Sequence, residues 1–337
     1  MLTLILKEIN YTNMKKIIIL CMSIFMLCAC STQKDYEKEL SNYYLSMTSS
    51  RQFDDKISVE NQVYDFKNKK LTTNNKYELS AQYSLAVYDD KEHTVLYSAK
   101  DSNNNDQVYI YDDDTKKTVQ LTDFLWGINY IIPRSEDYIV VGAKRKTHIL
   151  SLWSIDRKTH DVKQIEIPND KFDDMYAWQV AYIPQTNDLI IQATSDSLEY
   201  ELMDKWNNSQ SGNEDKDLNI PFYHYIYHNN KMEYLFTQEM PQSDGLISNG
   251  KQILVSINSK EHGNQLISYD IQSKEKKELE KVTGLGRVFY LDNKGQYLYA
   301  FMNGVVRKDI HTGKEEKLDY DFKDVGYYNN FILLKKN

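Results

Sequence analysis

Cysteine is confined to the N-terminal end of this chain: of 337 residues only Cys21, Cys28 and Cys30 carry a thiol. The rest of the chain therefore has no disulfide and no thiolate metal site, and its stability rests on its core, which a chain of this length can supply. Glycine (12) and proline (5) are scarce while tyrosine is abundant (27), a composition that fits a β-rich protein with Tyr on half-buried strand faces. Strong amphipathic helices between the strand-like runs are lacking, which disfavours an α/β fold. So are the Gly-x-Ser-x-Gly elbow, the zinc-protease helix and the phosphate loop. Positive charge is in deficit, with a net charge of −8. An acidic chain does not wrap nucleic acid and is repelled by an anionic membrane surface.

What is present begins with an export segment. Lys15 and Lys16 precede an unbroken apolar run from Ile17 to Ala29, and the polar stretch Ser31–Asp35 follows at once. The run is shorter than the roughly 20 residues that span a bilayer, so residues 1–29 read as a signal peptide. Met14, directly before the lysines, is the expected start of translation. The run ends in Leu27-Cys28-Ala29-Cys30, which resembles the lipobox of bacterial lipoproteins. That resemblance implies acylation of Cys30, with two chains on a glyceryl group and a third on the new N-terminus. Each buried methylene of such chains adds about 0.8 kcal/mol of membrane affinity. The implied location is the extracytoplasmic face of the cell membrane. Removing residues 1–29 takes away three lysines and one glutamate, leaving −10. Residues 30–56, polar and weakly helical around Tyr36–Leu45, are expected to form a tether.

Residues 57–337 repeat one theme: a short alternating strand ending near Asp, a polar turn, then a second strand. The equivalent turn positions are Asp65, Asp112, Asp156, His228, Asp270 and Asp309. Their spacing, near 40–45 residues with one larger gap, is that of a propeller blade. Two further strand-like runs precede each hairpin from the second onwards. Val325–Tyr328 and Phe331–Leu334 are left over at the end, as Ile57–Leu71 is at the start. Joined, they complete a sixth blade, so the expected fold is all-β, a six-bladed propeller of four-stranded antiparallel blades closed by N-terminal strands. The larger gap marks an insertion near 195–221. The run Ser98-Ala99-Lys100-Asp101 through Gln107-Val108-Tyr109-Ile110-Tyr111-Asp112 to Leu121-Thr122 is similar to the repeat of TolB-like propellers, within the broader WD type. Such propellers mostly serve as binding platforms, although the same ring also occurs in peptidases and other enzymes.

Candidate site residues follow from these positions. In the insertion, Ser197 is placed to cap a short helix with Leu198, Leu202 and Trp206 along one face, a docking element for a protein or peptide partner. Arg134 and Arg287, at the ends of innermost strands, are candidates for meeting an anionic ligand at the channel mouth. Asp101, Asn103, Asn105 and Asp112 have part of the spacing of a calcium loop but lack its turn glycine. Paired carboxylates such as Asp89-Asp90 and Asp173-Asp174 read as solvated turns. His224 and His228, four apart in a strand, are too distant to share zinc and read as surface residues. The expected function is a non-catalytic binding or scaffold propeller held on the membrane, with no cofactor. The alternatives are an extracellular hydrolase or lyase of the propeller type, and a glycan or small-ligand sensor.

Overall fold

The computed structural model describes residues 36–53, 56–79, 81, 83–209, 217–302, 304–320, 322 and 327–337. The export segment, Cys30 and residues 210–216 of the insertion lie outside them.

The described chain forms six four-stranded antiparallel sheets set around a ring, a six-bladed β-propeller. The first strands are β1 (Tyr43–Phe53), β2 (Lys56–Asp65) and β3 (Lys70–Glu78). Blade I follows as β4 (Ala86–Asp89), β5 (Thr94–Lys100), β6 (Asp106–Asp112) and β7 (Thr118–Gln120). Blade II comprises β8 (Leu125–Pro133), β9 (Asp137–Lys144), β10 (Leu150–Asp156) and β11 (Val162–Ile165). Blade III comprises β12 (Met175–Ile183), β13 (Asp188–Ser195), β14 (Ile220–His228) and β15 (Lys231–Met240). Blade IV is β16 (Ser243–Ser248), β17 (Gln252–Ser259), β18 (Gly263–Asp270) and β19 (Lys276–Glu278), and blade V is β20 (Val288–Leu291), β21 (Tyr297–Phe301), β22 (Val305–Asp309) and β23 (Glu315–Lys317). Blade VI joins β24 (Tyr327–Lys335), as innermost strand, to β1, β2 and β3.

The ring is thus shut by three N-terminal strands and one C-terminal strand, where the sequence reading had two of each. The two leftover C-terminal runs are a single strand, and the missing member is β1, which the sequence reading assigned to the tether. In the ladder, Tyr44 stands opposite Leu334 and Met47 opposite Phe331. Residues 36–40 are helical, and Tyr36 and Leu40 are buried against blades V and VI. The reason β1 resembles a linker is its buried polar residues, Ser46, Thr48 and Ser49. Two of them are satisfied by neighbouring strands: Thr48 Oγ1 donates to the Ala86 carbonyl at 2.9 Å, and Asn61 Nδ2 donates to Ser46 Oγ at 3.1 Å. A polar group so paired is tolerated in a core.

The core lies between blades. Second strands such as β9 and β13 are covered on both faces, which explains their unbroken runs Tyr138–Val141 and Leu189–Ile191. The repeated turn also has a chemical basis. Asp112 Oδ1 accepts from the amides of Asp114 and Thr115, at 2.9 and 2.8 Å, and Asp156, Asp65 and Asp309 each repeat the pair. The residue four places after each Asp takes a left-handed conformation: Lys69, Lys116, His160, Lys274 and Gly313. Blade III departs from this, turning instead on Asn229 and Asn230, both with positive φ, as a two-residue hairpin demands.

Innermost strands all run the same way, so the ring has two distinct rims. The upper rim carries the links between blades and the turns between second and third strands, including the insertion. The lower rim carries the remaining turns, the chain's C-terminus and the residue 36–40 helix. Glu39 on that helix accepts from Tyr290 Oη at 2.6 Å and from the amide of Asn293 at 3.2 Å.

Candidate functional site

The channel at the ring axis encloses about 290 Å³ and has a wall of mixed polar and apolar character, with Tyr130, Ile132, Tyr182 and Ile332 beside Gln179 and Asn330. Asp244 is the single charged residue among the described lining. No group of three or more His, Cys, Asp or Glu converges to hold a metal among the described residues.

The lower mouth, about 380 Å³, is ringed by charge, of which Arg134, Arg157 and Lys336 are ion-paired within the protein and Lys91 donates to the Ser135 carbonyl. Arg134 is buried there. Its guanidinium lies 3.3 Å from Glu136 and 3.5 Å from Asp137, its Nε donates to the Asn187 carbonyl, and it sits 4.9 Å from the Tyr227 ring centroid. Arg157 repeats the arrangement one step round the ring, ion-paired to Asp89 of blade I and packed 4.6 Å from the Tyr138 ring centroid. Arg157 Nε also donates to the Arg134 carbonyl at 2.6 Å, so the two arginines clasp blades together. Arg287 is exposed at the start of β20, on the upper rim. The two arginines nominated from sequence therefore sit at opposite ends of the channel.

The insertion forms helix α1 (Asp196–Ser209) on the upper rim. Ser195, rather than Ser197, caps it, its Oγ accepting from the Leu198 amide at 3.2 Å. Asp174, from the link between blades, holds the same end by accepting from the Ser197 amide and the Ser195 hydroxyl, both at 2.7 Å. Burial alone raises the Asp174 pKa, but these donors outweigh it and hold the carboxyl below its usual range. Asp173-Asp174 is thus not simply a solvated turn. Leu198, Leu202 and Trp206 are half-buried, with Lys260 lying 5.3 Å from the Trp206 ring centroid. The exposed apolar residues of α1 are Tyr200, at 76 %, and Met203. The far end of the insertion is tied down by Asp217, which accepts from Ser259 Oγ at 2.5 Å and from the Lys260 amide at 2.7 Å.

Four more large apolar side chains stand exposed on this rim: Tyr83, Trp126, Met302 and Tyr327. Sequence reasoning takes Trp126 for a packing residue and passes over the other three, because they sit at strand ends or in a link, where only the ring geometry decides exposure. Between Tyr83 and Trp126 a recess of about 500 Å³ opens, also lined by Asp106, Asn129, His148 and Leu150. The Trp126 indole packs on the His148 imidazole with centroids 4.5 Å apart and planes 25° apart. Tyr83 is fixed by its hydroxyl, which donates to the Asn329 carbonyl at 2.5 Å.

The calcium set is divided by the fold. Asp101 precedes β6 and Asp112 is its last residue, so the two lie on opposite rims. Asp101 accepts from the Asn103 and Asn105 amides and pairs with Arg145, while Asp112 is used by its own turn. The histidines also part company. His228 is half-exposed and bonded to Asp188, but His224 is fully buried, correcting its assignment to the surface. An unbroken run of aromatic and aliphatic residues around it, Phe222 to Tyr227, leaves no sign of which face points inwards.

Comparison with known proteins agrees on architecture. The chain is similar to TolB from Acinetobacter baumannii, at 14 % identity over 87 % of this chain and 67 % of that one, with a TM-score of 0.50. It is equally similar to the β-propeller domain of the Trilobed protease from Pyrococcus furiosus, at 15 % identity over 81 % and 80 %, with a TM-score of 0.50. No family model matches the chain, and no curated protein matches it. At these identities the likeness is one of fold: a TolB-like six-bladed propeller.

Proposed function

We propose that this chain is a lipid-anchored, extracytoplasmic propeller that binds a protein or peptide partner on its upper rim. The observation that carries the reading is the distribution of exposed apolar side chains. Of the nine large apolar side chains exposed among the described residues, Tyr83, Trp126, Met302, Tyr327, Tyr200 and Met203 stand on one rim and Ile57, Val119 and Tyr234 lie on β2, β7 and β15, whereas the opposite rim carries paired charge and the N-terminal helix. Exposed aromatics and Met grouped on one face are the composition of interface cores. An anchor at Cys30 would reach the ring at its lower rim, near Tyr36, and so turn the upper rim away from the membrane. The channel, with a single carboxylate among its described lining, favours this over a hydrolase or lyase, which needs converging acid, base or nucleophile groups.

The test is site-specific photocrosslinking in cells that make the full chain. A crosslinker at position 200 or 327 is expected to trap a discrete partner, and one at position 158 or 294 on the lower rim is not. Equal capture from both rims, or none from the upper one, would refute the docking face. Separately, Cys30→Ser is expected to move the chain out of the membrane fraction, and unchanged fractionation would refute the anchor.

A further inference from the structure

We propose that the recess between Tyr83 and Trp126 receives a lysine or arginine side chain of the partner. The inference rests on the docking-face reading and gives that partner a chemistry. Tryptophan presents the most favourable ring face to a cation, and the recess pairs it with a second aromatic, Tyr83. Asp106, 1 % exposed, is the only carboxylate in the described lining, and neither Lys nor Arg is among it. Lys100, opposite Asp106 in the hairpin register, is outside the lining. Asp106 has contacts of its own within the protein and acts on the recess through its charge. The missing Cβ of Gly127 faces open space, so nothing fills the recess beside the indole.

The turn that flanks the recess is basic, Lys144 to Lys146, with Arg145 paired to Asp101 and Lys144 bonded to Gln164, whereas the rim beyond it is acidic. Helix α1 holds Asp196, Glu199, Glu201 and Asp204 against Lys205. The link between blades II and III holds Glu166, Asp170, Asp173 and Asp174 against Lys171. The channel adds Asp244. Acidic stretches of this kind on the rim beyond the recess draw in basic chains and speed their encounter. A neutral sugar also stacks on tryptophan, but it needs several directional polar partners, and here only Asn129 and His148 stand beside the carboxylate.

The experiment uses the full chain in detergent and fluorescein-labelled, capped Gly-Ser undecapeptides bearing three arginines, three lysines or three norleucines. Anisotropy is expected to show binding of both basic peptides and at least tenfold weaker binding of the norleucine peptide. Trp126→Ala and Asp106→Asn should each weaken the basic peptides at least fivefold, with Trp126→Phe recovering much of the loss. Trp126 is exposed, so its variants are expected to keep the parent melting temperature and to hold the test if Asp106→Asn fails to fold. Equal binding of norleucine and basic peptides, or no effect of Trp126→Ala, overturns the cation recess. Binding of chitotriose in place of the peptides, read by Trp126 fluorescence, also overturns it. If either occurs while crosslinks from positions 200 and 327 persist, the recess falls and the docking face stands. If those crosslinks are absent too, both fall.

Discussion

His224 lies flat against Phe236, with ring centroids 4.2 Å apart and planes 8° apart, and its Nε2 meets the Gln192 side-chain amide at 3.0 Å. Burial, aided by the nearby charge of Lys276, pushes its pKa down to about 3. The folded chain therefore keeps His224 neutral where an unfolded chain takes up a proton, below about pH 6.5. Its contribution to stability is complete above that pH and falls by about 1.4 kcal/mol per unit as pH drops from 6.5 towards 3. Urea unfolding between pH 7.5 and 4.5 is expected to show a slope about one proton smaller in His224→Phe than in the parent. Identical slopes would refute the assignment.

The ion pair of Arg157 with Asp89 is buried on both sides and bridges blades I and II. Removing one partner leaves an uncompensated charge, so Asp89→Asn is expected to cost about 3–5 kcal/mol. Replacing Arg157 with Met as well should recover a good part of that loss. A double-mutant cycle measured by urea unfolding decides, and additive losses would mean that the pair is not coupled.

Lys274 occupies, at φ 61°, the turn position that Gly313 fills in the next blade at φ 71°. A side chain in the left-handed region is strained, and glycine is not. Lys274→Gly is expected to raise stability by about 0.5–1 kcal/mol, seen as a higher urea midpoint with an unchanged slope.

Gly245 sits on β16 beside the channel, where an added Cβ would come within 2.8 Å of Leu285 Cβ. Gly245→Ala is expected to cost about 1–3 kcal/mol by overpacking. A melting temperature unchanged from the parent would show that Leu285 gives way freely.

The ring was legible in the sequence because its turns repeat a local chemistry. Asp followed three residues later by Thr, Ser or Asn is visible at positions 65, 112, 156, 270 and 309, and its hydrogen bonds are made within the turn itself. The closing strand was not legible. Ser46 and Thr48 look soluble until Asn61 and Ala86 supply their partners, and those lie 15 and 38 residues away. The helix in the insertion was visible from its pattern, but not which of its faces meets the rim. Leu198, Leu202 and Trp206 turn towards the protein, while Tyr200 and Met203, out of phase with that stripe, turn to solvent. Tyr83 and Trp126 line one recess only because successive blades bring the starts of β4 and β8 together.

The placement of β1 has a mechanical consequence. Its first residue, Tyr43, is at the lower rim opposite Lys335, and the strand climbs between β24 and β2 towards the upper rim. A force that drags on the N-terminal end while a cargo is gripped at the far side runs parallel to this strand. Both ladders are then sheared lengthwise, and their hydrogen bonds, which lie across the pull, resist together instead of unzipping singly. The seam that joins the two ends of the chain is thus oriented as the stiffest link between leash and load.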